Sequence, residues 1–364
     1  TFNISVAVTD IFMGRATTDL ESDEHALLNE IVDSAWRTGD PGLYFIDEAE
    51  RGNPTPWLGR LTGTNPCGEV PLLNNEPCTL GSINLGNYID GAGDIDYRRL
   101  GYHVKLATRY LDDIVSINTF PVQEILEANL MTRKIGLGVC GWADLLALKG
   151  LDYDTQDAVD LGSEVMRFIN EEAEQESLRL GVERGPAPAF MENSSFGNKP
   201  RNATRTCIAP TGSIAILMGA SSGIEPHFAL EWTRTLGNGE IIYERIPVME
   251  RIGDRKPRVS HDIESKFHVA HQSAFQKYTD LAVSKTVNLR NDATREDIYQ
   301  AFVGMWTSKL KGGTIFRDGC RNEQVLNVLQ LPEIESCPAC SAGVIHAEGC
   351  LECINGCGWS ACST

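Results

Sequence analysis

No run of eighteen apolar residues occurs in the 364-residue chain, and no basic segment followed by an apolar one opens it. The sequence therefore offers neither a helical membrane span nor a secretory leader, and the expected compartment is the cytoplasm. Positive charge is also in short supply. Thirty-two Lys and Arg stand against fifty Asp and Glu, for a net charge of −18, and beyond Arg321 there is no Lys or Arg at all. Nonspecific nucleic-acid binding needs a positive face that displaces counterions, so direct nucleic-acid binding is not expected. An anionic ligand would have to be held by local donors in a pocket. There is no Walker A sequence, no internal repeat and no low-complexity tract.

Cysteine, by contrast, is abundant. Six of the eleven fall in the last 28 positions: Cys337-Pro-Ala-Cys340, Cys350-Leu-Glu-Cys353, and Cys357-Gly-Trp-Ser-Ala-Cys362. Secreted disulfide frameworks are short chains, whereas these cysteines sit largely in metal-type spacing. Two CxxC pairs suit a tetrahedral zinc site, which assigns Cys337, Cys340, Cys350 and Cys353 to Zn2+. Cys357 and Cys362 remain as a pair able to close a disulfide across a turn and to carry reducing equivalents elsewhere.

The periodicity predicts an α/β architecture. Phe2, Ile4, Val6 and Val8 alternate with polar or small residues as in a strand, so the chain is expected to begin inside a fold. Ser22 to Thr38 reads as an amphipathic helix with Leu27, Leu28, Ile31, Val32 and Ala35 on one face, ended by Gly39 and Pro41. Helices are also expected over 97–116, from Pro121, over 142–148 and over 158–180, and strands over 133–139 and 204–209. The expected organisation is a large domain over 1–329, a Pro- and Glu-containing linker over 330–336, and a cysteine-rich tail over 337–364.

Gly136-Leu-Gly138-Val-Cys-Gly141 matches GxGxxG, but the acidic residue a dinucleotide ribose requires is not at the end of a second strand. A tight strand-to-helix turn is the expected role of these glycines. Pro210-Thr211-Gly212-Ser213-Ile214 has the form of a helix start that exposes backbone N–H groups to an anion, and Ser221-Ser222-Gly223 close behind could add donors; an ordinary helix cap is the competing reading. Asn65, Cys67 and Glu69 stand at i, i+2 and i+4, so an extended segment would turn all three to one side. A thiol flanked by a carboxylate able to take a proton is richer chemistry than an inert core cysteine requires. Cys78 reads as a redox or a structural thiol, and Cys140, Cys207 and Cys320 as core residues.

Together, Asn65-Pro-Cys67-Gly-Glu69, Glu76-Pro-Cys78-Thr-Leu-Gly-Ser-Ile-Asn84-Leu, Ala209-Pro-Thr-Gly-Ser-Ile-Ala, Ala220-Ser-Ser-Gly-Ile-Glu-Pro226 and the cysteine tail resemble the catalytic chain of ribonucleotide reductases along nearly the whole sequence. The form of the first motif, the Ala282-Val-Ser-Lys-Thr-Val-Asn-Leu289 segment and the tail are similar to the adenosylcobalamin-dependent class II enzymes. Iron-dependent relatives carry an adjacent tyrosine pair where this chain has Thr314 and Ile315. The resemblance implies part of a ten-stranded α/β barrel with a finger loop at about 63–85. It implies that Cys67 becomes a thiyl radical, that Glu69 takes the ribose 3'-hydroxyl proton, that Asn65 hydrogen-bonds the sugar, and that Cys78 is one of two reducing thiols. Pro210 to Ile214 and Ser221 to Gly223 would hold the substrate phosphates. Cys357 and Cys362 would exchange with the spent disulfide and be recharged by a thioredoxin-type donor.

The implied reaction is reduction of ribonucleotides, in the diphosphate form, to deoxyribonucleotides with adenosylcobalamin. Because the early barrel strands and the upstream redox cysteine of the family have no counterpart here, an N-terminal portion of the same reductase is an expected partner, and the isolated chain is expected not to turn over. A homodimer is among the assemblies the sequence leaves open. Competing readings are a large subunit that imports its radical from a partner protein, a zinc-ribbon adaptor or nucleic-acid-binding protein, and a general disulfide exchange protein. The basic-poor tail opposes the adaptor, and the Asn65, Cys67 and Glu69 set is unexplained by simple exchange.

Overall fold

The computed structural model describes residues 3–191, 199–235, 241–320, 326–328, 337–340, 342, 344–347, 350–353, 355, 357 and 359–362; of these, the side chains of 232–235, 241–244, 326–328, 345–347, 350–352 and 360–362 are not described. Its strands are β1 (Ser5–Val8), β2 (Gly42–Phe45), β3 (Thr79–Asn84), β4 (Ile135–Cys140), β5 (Glu231–Thr235), β6 (Ile241–Arg245), β7 (Thr286–Leu289), β8 (Gly312–Arg317), β9 (Leu326–Val328), β10 (Val344–Ala347), β11 (Cys350–Cys353) and β12 (Ser360–Cys362).

Two compact units emerge, and their boundary differs from the expected one. The first comprises Thr1–Phe228 with Pro257–Arg321; the second, Ala229–Lys256 with Asn322–Thr364. The hairpin of β5 and β6 falls in the second unit because β9 pairs antiparallel to β5, with Trp232 opposite Val328. The expected linker over 330–336 lies outside the described residues.

In the first unit, β3 runs parallel to β4 with Thr79 opposite Ile135. The 204–209 segment is predicted as a strand, but it makes only single bridges, Leu137 to Thr206 and Ile208 to Val283, both parallel. Those bridges lead on to β7, which is parallel to β8. Beyond β8 the direction reverses: β2 is antiparallel to β8, and β1 is parallel to β2. A parallel set thus meets the edge of a second set running the other way.

Helices cover this surface where the sequence supplies caps and an apolar face. The helix Asp23–Thr38 starts at Ser22, whose side chain accepts from the His25 N–H at 3.1 Å, and stops at Gly39 with φ of 74°. It buries Leu28, Ile31, Val32 and Ala35, while Leu27 is 47% exposed, one position off the buried stripe. Helix Tyr97–Ile117 is capped by Asp96 and buries Leu100, Val104, Leu111 and Val115 against β3 and β4. A second core lies under β1, β2, β7 and β8, built around Met13, Phe45, Phe302 and Met305. Among the described residues no helix is long and apolar enough to cross a membrane.

The glycines of β4 do something other than turn the chain. A Cβ on Gly138 would lie 2.1 Å from the Cys207 carbonyl oxygen, and one on Gly136 would lie 2.7 Å from the Cys207 Cβ. They let the 204–209 segment lie against β4, and the turn itself is made by Gly141, whose φ is 71°.

Candidate active site and cysteine tail

Asn65 to Glu69 is a turn, not the extended segment the spacing predicts. The Gly68 N–H donates to the Asn65 carbonyl at 3.0 Å, and Gly68 adopts φ of 85°, where a side chain would be strained. The Asn65 Oδ1 accepts from the Val70 N–H at 3.0 Å and from Thr64 Oγ1 at 3.2 Å. That leaves the amide N–H2 as donor, and it hydrogen-bonds the Glu69 carboxylate. Folding across the turn, rather than alternation, brings Asn65 and Glu69 together with Cys67 between them in the chain.

The turn is fastened at its far end. The Glu69 carbonyl accepts from the Ala282 N–H at 2.9 Å and from the Cys207 thiol at 3.5 Å, so the loop is pinned between two neighbouring strand segments. Glu69 is 2% exposed, and its Oε2 has no hydrogen-bond partner. Burial pushes its carboxyl pKa up, partly opposed by the Asn65 hydrogen bond. Cys67 is half-buried; burial, and then the Glu69 charge, push its thiol upward too. Cys78 packs against Val70, Cys207 and Leu281 at the entrance to β3, and burial drives its thiol up to about 12.

Cys140 and Cys207 are buried, as expected, but Cys207 also adjoins this site, and Cys320 is only half-buried. The two Gly/Ser turns meet as well. The helix Gly212–Met218 begins at Thr211, which takes a left-handed φ of 58° and uses its hydroxyl to accept from the Gly223 N–H at 2.7 Å. The first helical bond is Ala215 N–H to Thr211 carbonyl, so the N–H groups of Gly212, Ser213 and Ile214 precede it at an exposed helix start beside Pro210. Ser221 is held from behind: its N–H donates to Asp144 Oδ2 at 2.7 Å, and its carbonyl accepts from Gly141. Asp144 in turn lies 3.5 Å from His227 Nε2, a ring that burial keeps below the usual histidine range. Ser222 is half-buried on the same turn.

Two buried cations were invisible in the sequence. Lys285 Nζ pairs with Glu225 Oε2 at 2.5 Å and meets His268 Nδ1 at 2.9 Å, which ties the 220–226 turn to β7. Lys134 pairs with Glu76 at 2.6 Å. Their partners lie 60 and 58 residues away, too far for any local pattern to show.

In the second unit, β10, β11 and β12 form an antiparallel sheet. The Sγ atoms of Cys337, Cys340, Cys353 and Cys357 all lie within 4.8 Å of one another, with Cys337 to Cys357 at 3.5 Å and Cys340 to Cys353 at 3.3 Å. Zinc bound at about 2.3 Å to four thiolates places them about 3.8 Å apart, so this donor set fits the ion. Among the described residues the cluster includes Cys357 with three of the four expected ligands, and the side chain of the fourth, Cys350, lies outside the described residues. Cys350–Cys353 is folded as strand β11, where an offset of three spans roughly 10 Å along the backbone, unlike the turn at Cys337–Cys340. The side chains of Cys350 and Cys362 lie outside the described residues, but their Cα positions are register partners on adjacent strands.

A family model described as ribonucleotide reductase, barrel domain, matches residues 20–200, 198–258 and 257–316. The chain belongs to the ribonucleotide reductase family. It is 41% identical to a vitamin B12-dependent ribonucleoside-diphosphate reductase of Thermoplasma acidophilum, over 89% of this chain and 48% of that protein. To the protein of the same description from Mycobacterium tuberculosis it is 39% identical, over 90% of this chain and 53% of that one. The chain thus spans about half the length of these curated relatives. The class Id ribonucleotide reductase alpha subunit of Actinobacillus ureae has the same fold, with a TM-score of 0.73 at 20% identity over 87% of this chain and 65% of that one. The strands β2, β3, β4 and β7 of the first unit, and the 63–85 segment, lie within the region matched to the reductase barrel.

Proposed function

We propose that this chain carries the catalytic loop of a cobalamin-dependent ribonucleoside-diphosphate reductase, with Cys67 as the sulfur that takes a hydrogen atom from the substrate ribose. The observation that carries this is the turn at Gly68, which folds the Asn65 amide onto the buried Glu69 carboxylate with Cys67 between them in the chain. Burial, and then the Glu69 charge, raise the Cys67 thiol pKa. That environment opposes thiolate chemistry and suits transfer of a hydrogen atom. Glu69, buried and with a raised pKa, is the stronger base for it and is placed to take the 3'-hydroxyl proton. Asn65 orients that carboxylate and reaches the sugar. As the 2'-hydroxyl leaves as water, Cys78 and a second thiol from the N-terminal portion supply the two electrons and end as a disulfide.

Bound cobalamin, the cofactor in the relatives' names, is the source of the unpaired electron. Thr314 and the core residue Ile315 on β8 supply no phenol that would pass a radical from a partner protein. The N–H groups at Gly212 to Ile214 hold the diphosphate, with the Ser221 to Gly223 turn beside them, whose Ser221 and Gly223 N–H groups are already committed to Asp144 and Thr211. In the tail, Cys337, Cys340, Cys353 and Cys357 hold Zn2+, which leaves the register pair Cys350 and Cys362 as the thiols that exchange with the active site and are recharged by a thioredoxin-type donor.

The test is formation of deoxyribonucleoside diphosphate with adenosylcobalamin and a dithiol, by the chain together with the N-terminal portion of a full-length relative. Cys67→Ser should abolish product, and Glu69→Gln should lower kcat by about 10²-fold or more. Product formation that survives Cys67→Ser rules the assignment out.

A further inference from the structure

Beside Cys78 lies a pair of charges that the reaction above does not use. Lys134 is fully buried, and its Nζ donates to Glu76 Oε2 at 2.6 Å; the same oxygen accepts from the Leu73 N–H at 2.8 Å. Glu76 Oε1 is buried and has no partner. Lys134 immediately precedes β4, and its carbonyl accepts from the Thr79 N–H at 3.4 Å, which sets it alongside Cys78 at the mouth of the β3–β4 pair. A cavity of 380 Å³, lined among others by Arg60, Thr62, Leu73, Glu76 and Thr132, adjoins the acidic end of the pair. It is roomy enough for water.

We propose that the Glu76–Lys134 pair is a positioning device for Cys78, setting how readily that thiol gives up and regains its proton during thiol–disulfide exchange. In recharging, an incoming thiol loses its proton and its sulfur forms a bond to the partner sulfur of the spent Cys78 disulfide. The old S–S bond breaks and Cys78 leaves as a thiolate that takes up a proton, so electrons and protons balance. Three charged groups act on Cys78. Lys134 favours the thiolate, and Glu76 and Glu69 oppose it, with the neutral Cys207 thiol packed close by. Two of the three are locked to each other, so removing either one unmasks the other. Lys311, the next buried cation, is engaged by the Asp280 and Leu281 carbonyls and acts on Cys207.

The proposal rests on Cys78 being a redox thiol, but its test does not need turnover. Iodoacetamide alkylation of Cys78 is followed in the full chain by peptide mass spectrometry between pH 7 and 10. Each unit of pKa changes the thiolate fraction tenfold and, after the opposing change in nucleophilicity, the rate by about threefold. Lys134→Met should slow alkylation by at least about threefold, and Glu76→Gln should accelerate it by a similar factor. Lys134→Arg should stay near the parent rate. Loosening of the structure would accelerate both single variants together. If either single variant fails to show a native melting transition, the Glu76→Gln/Lys134→Met double variant is read instead, with a rate expected within about threefold of the parent. Opposite signs in the single variants support the proposal. Rates that move the same way or not at all, or a double variant outside that range, overturn it. Loss of nucleotide reduction with these rates intact would instead strike at the function assigned to Cys78.

Discussion

Burying Glu69, the base we propose, costs the fold something. Its folded pKa is raised by burial, so the native state holds this proton more tightly than the unfolded chain does. The contribution therefore has the sign opposite to an ordinary paired carboxylate. It leaves stability intact below the ordinary glutamate value of 4.5 and erodes it as pH rises from there through the folded pKa. Glu69→Gln removes the penalty. Thermal melts should show the variant more stable than the parent at pH 7 to 8, with the gap closing as pH falls through the carboxylate range. A gap that widens on acidification would contradict the raised pKa. The same substitution should lower the Cys67 thiol pKa, since the Glu69 charge is one of the two causes that raise it. The sequence showed which three residues to examine but gave the wrong reason for their meeting. Alternation in a strand would have sufficed, whereas the chain turns at Gly68, and nothing local separates a Cys-Gly turn from a Cys-Gly strand.

Among the elements, what fixes the site is the close seating of the 204–209 segment on β4. Gly138→Ala would drive a methyl to 2.1 Å from a backbone oxygen that cannot swing away, so the segment must move and release its hold on the 65–69 turn. Denaturant unfolding should report a loss of about 3 kcal/mol, the upper range for overpacking, and reduction should fall with it. The end of the same layer is held by Asp112, fully buried and accepting from Arg133 at 2.7 Å, Arg201 at 3.3 Å and Asn202 at 3.1 Å. Asp112→Ala leaves the buried Arg133 without its anion and should cost about 3–5 kcal/mol by the same measurement. Helix positions were legible because caps and apolar stripes are local, as Ser22, Gly39 and Asp96 show. The roles of Gly136 and Gly138 were not, because what they accommodate is a carbonyl and a side chain some 70 residues away. The Asp112 cluster likewise gathers charges from three parts of the chain.

On the scale of the whole molecule, the cysteine tail tests how far spacing can be trusted. CxxC marks a metal knuckle only where the chain turns, as Cys337–Cys340 does, with the Cys337 N–H donating to the Ala342 carbonyl at 2.7 Å. Cys350–Cys353 has the same spacing on a strand paired on both sides, β10 along one edge and β12 along the other. Its first cysteine is drawn into register with Cys362, and Cys357 completes the four-sulfur cluster. The two assignments differ in a way that metal analysis separates cleanly. Cys357→Ser should lower the zinc bound per chain, measured by elemental analysis after exhaustive dialysis against a weak chelator, from one equivalent toward none. Cys350→Ser should leave it at one, because the cluster keeps all four of its thiolates, and should instead block re-reduction by a thioredoxin-type donor over successive turnovers. If Cys350→Ser releases the ion and Cys357→Ser retains it, the tail folds by sequence spacing after all, and the Cys357 and Cys362 pair regains the role of shuttle.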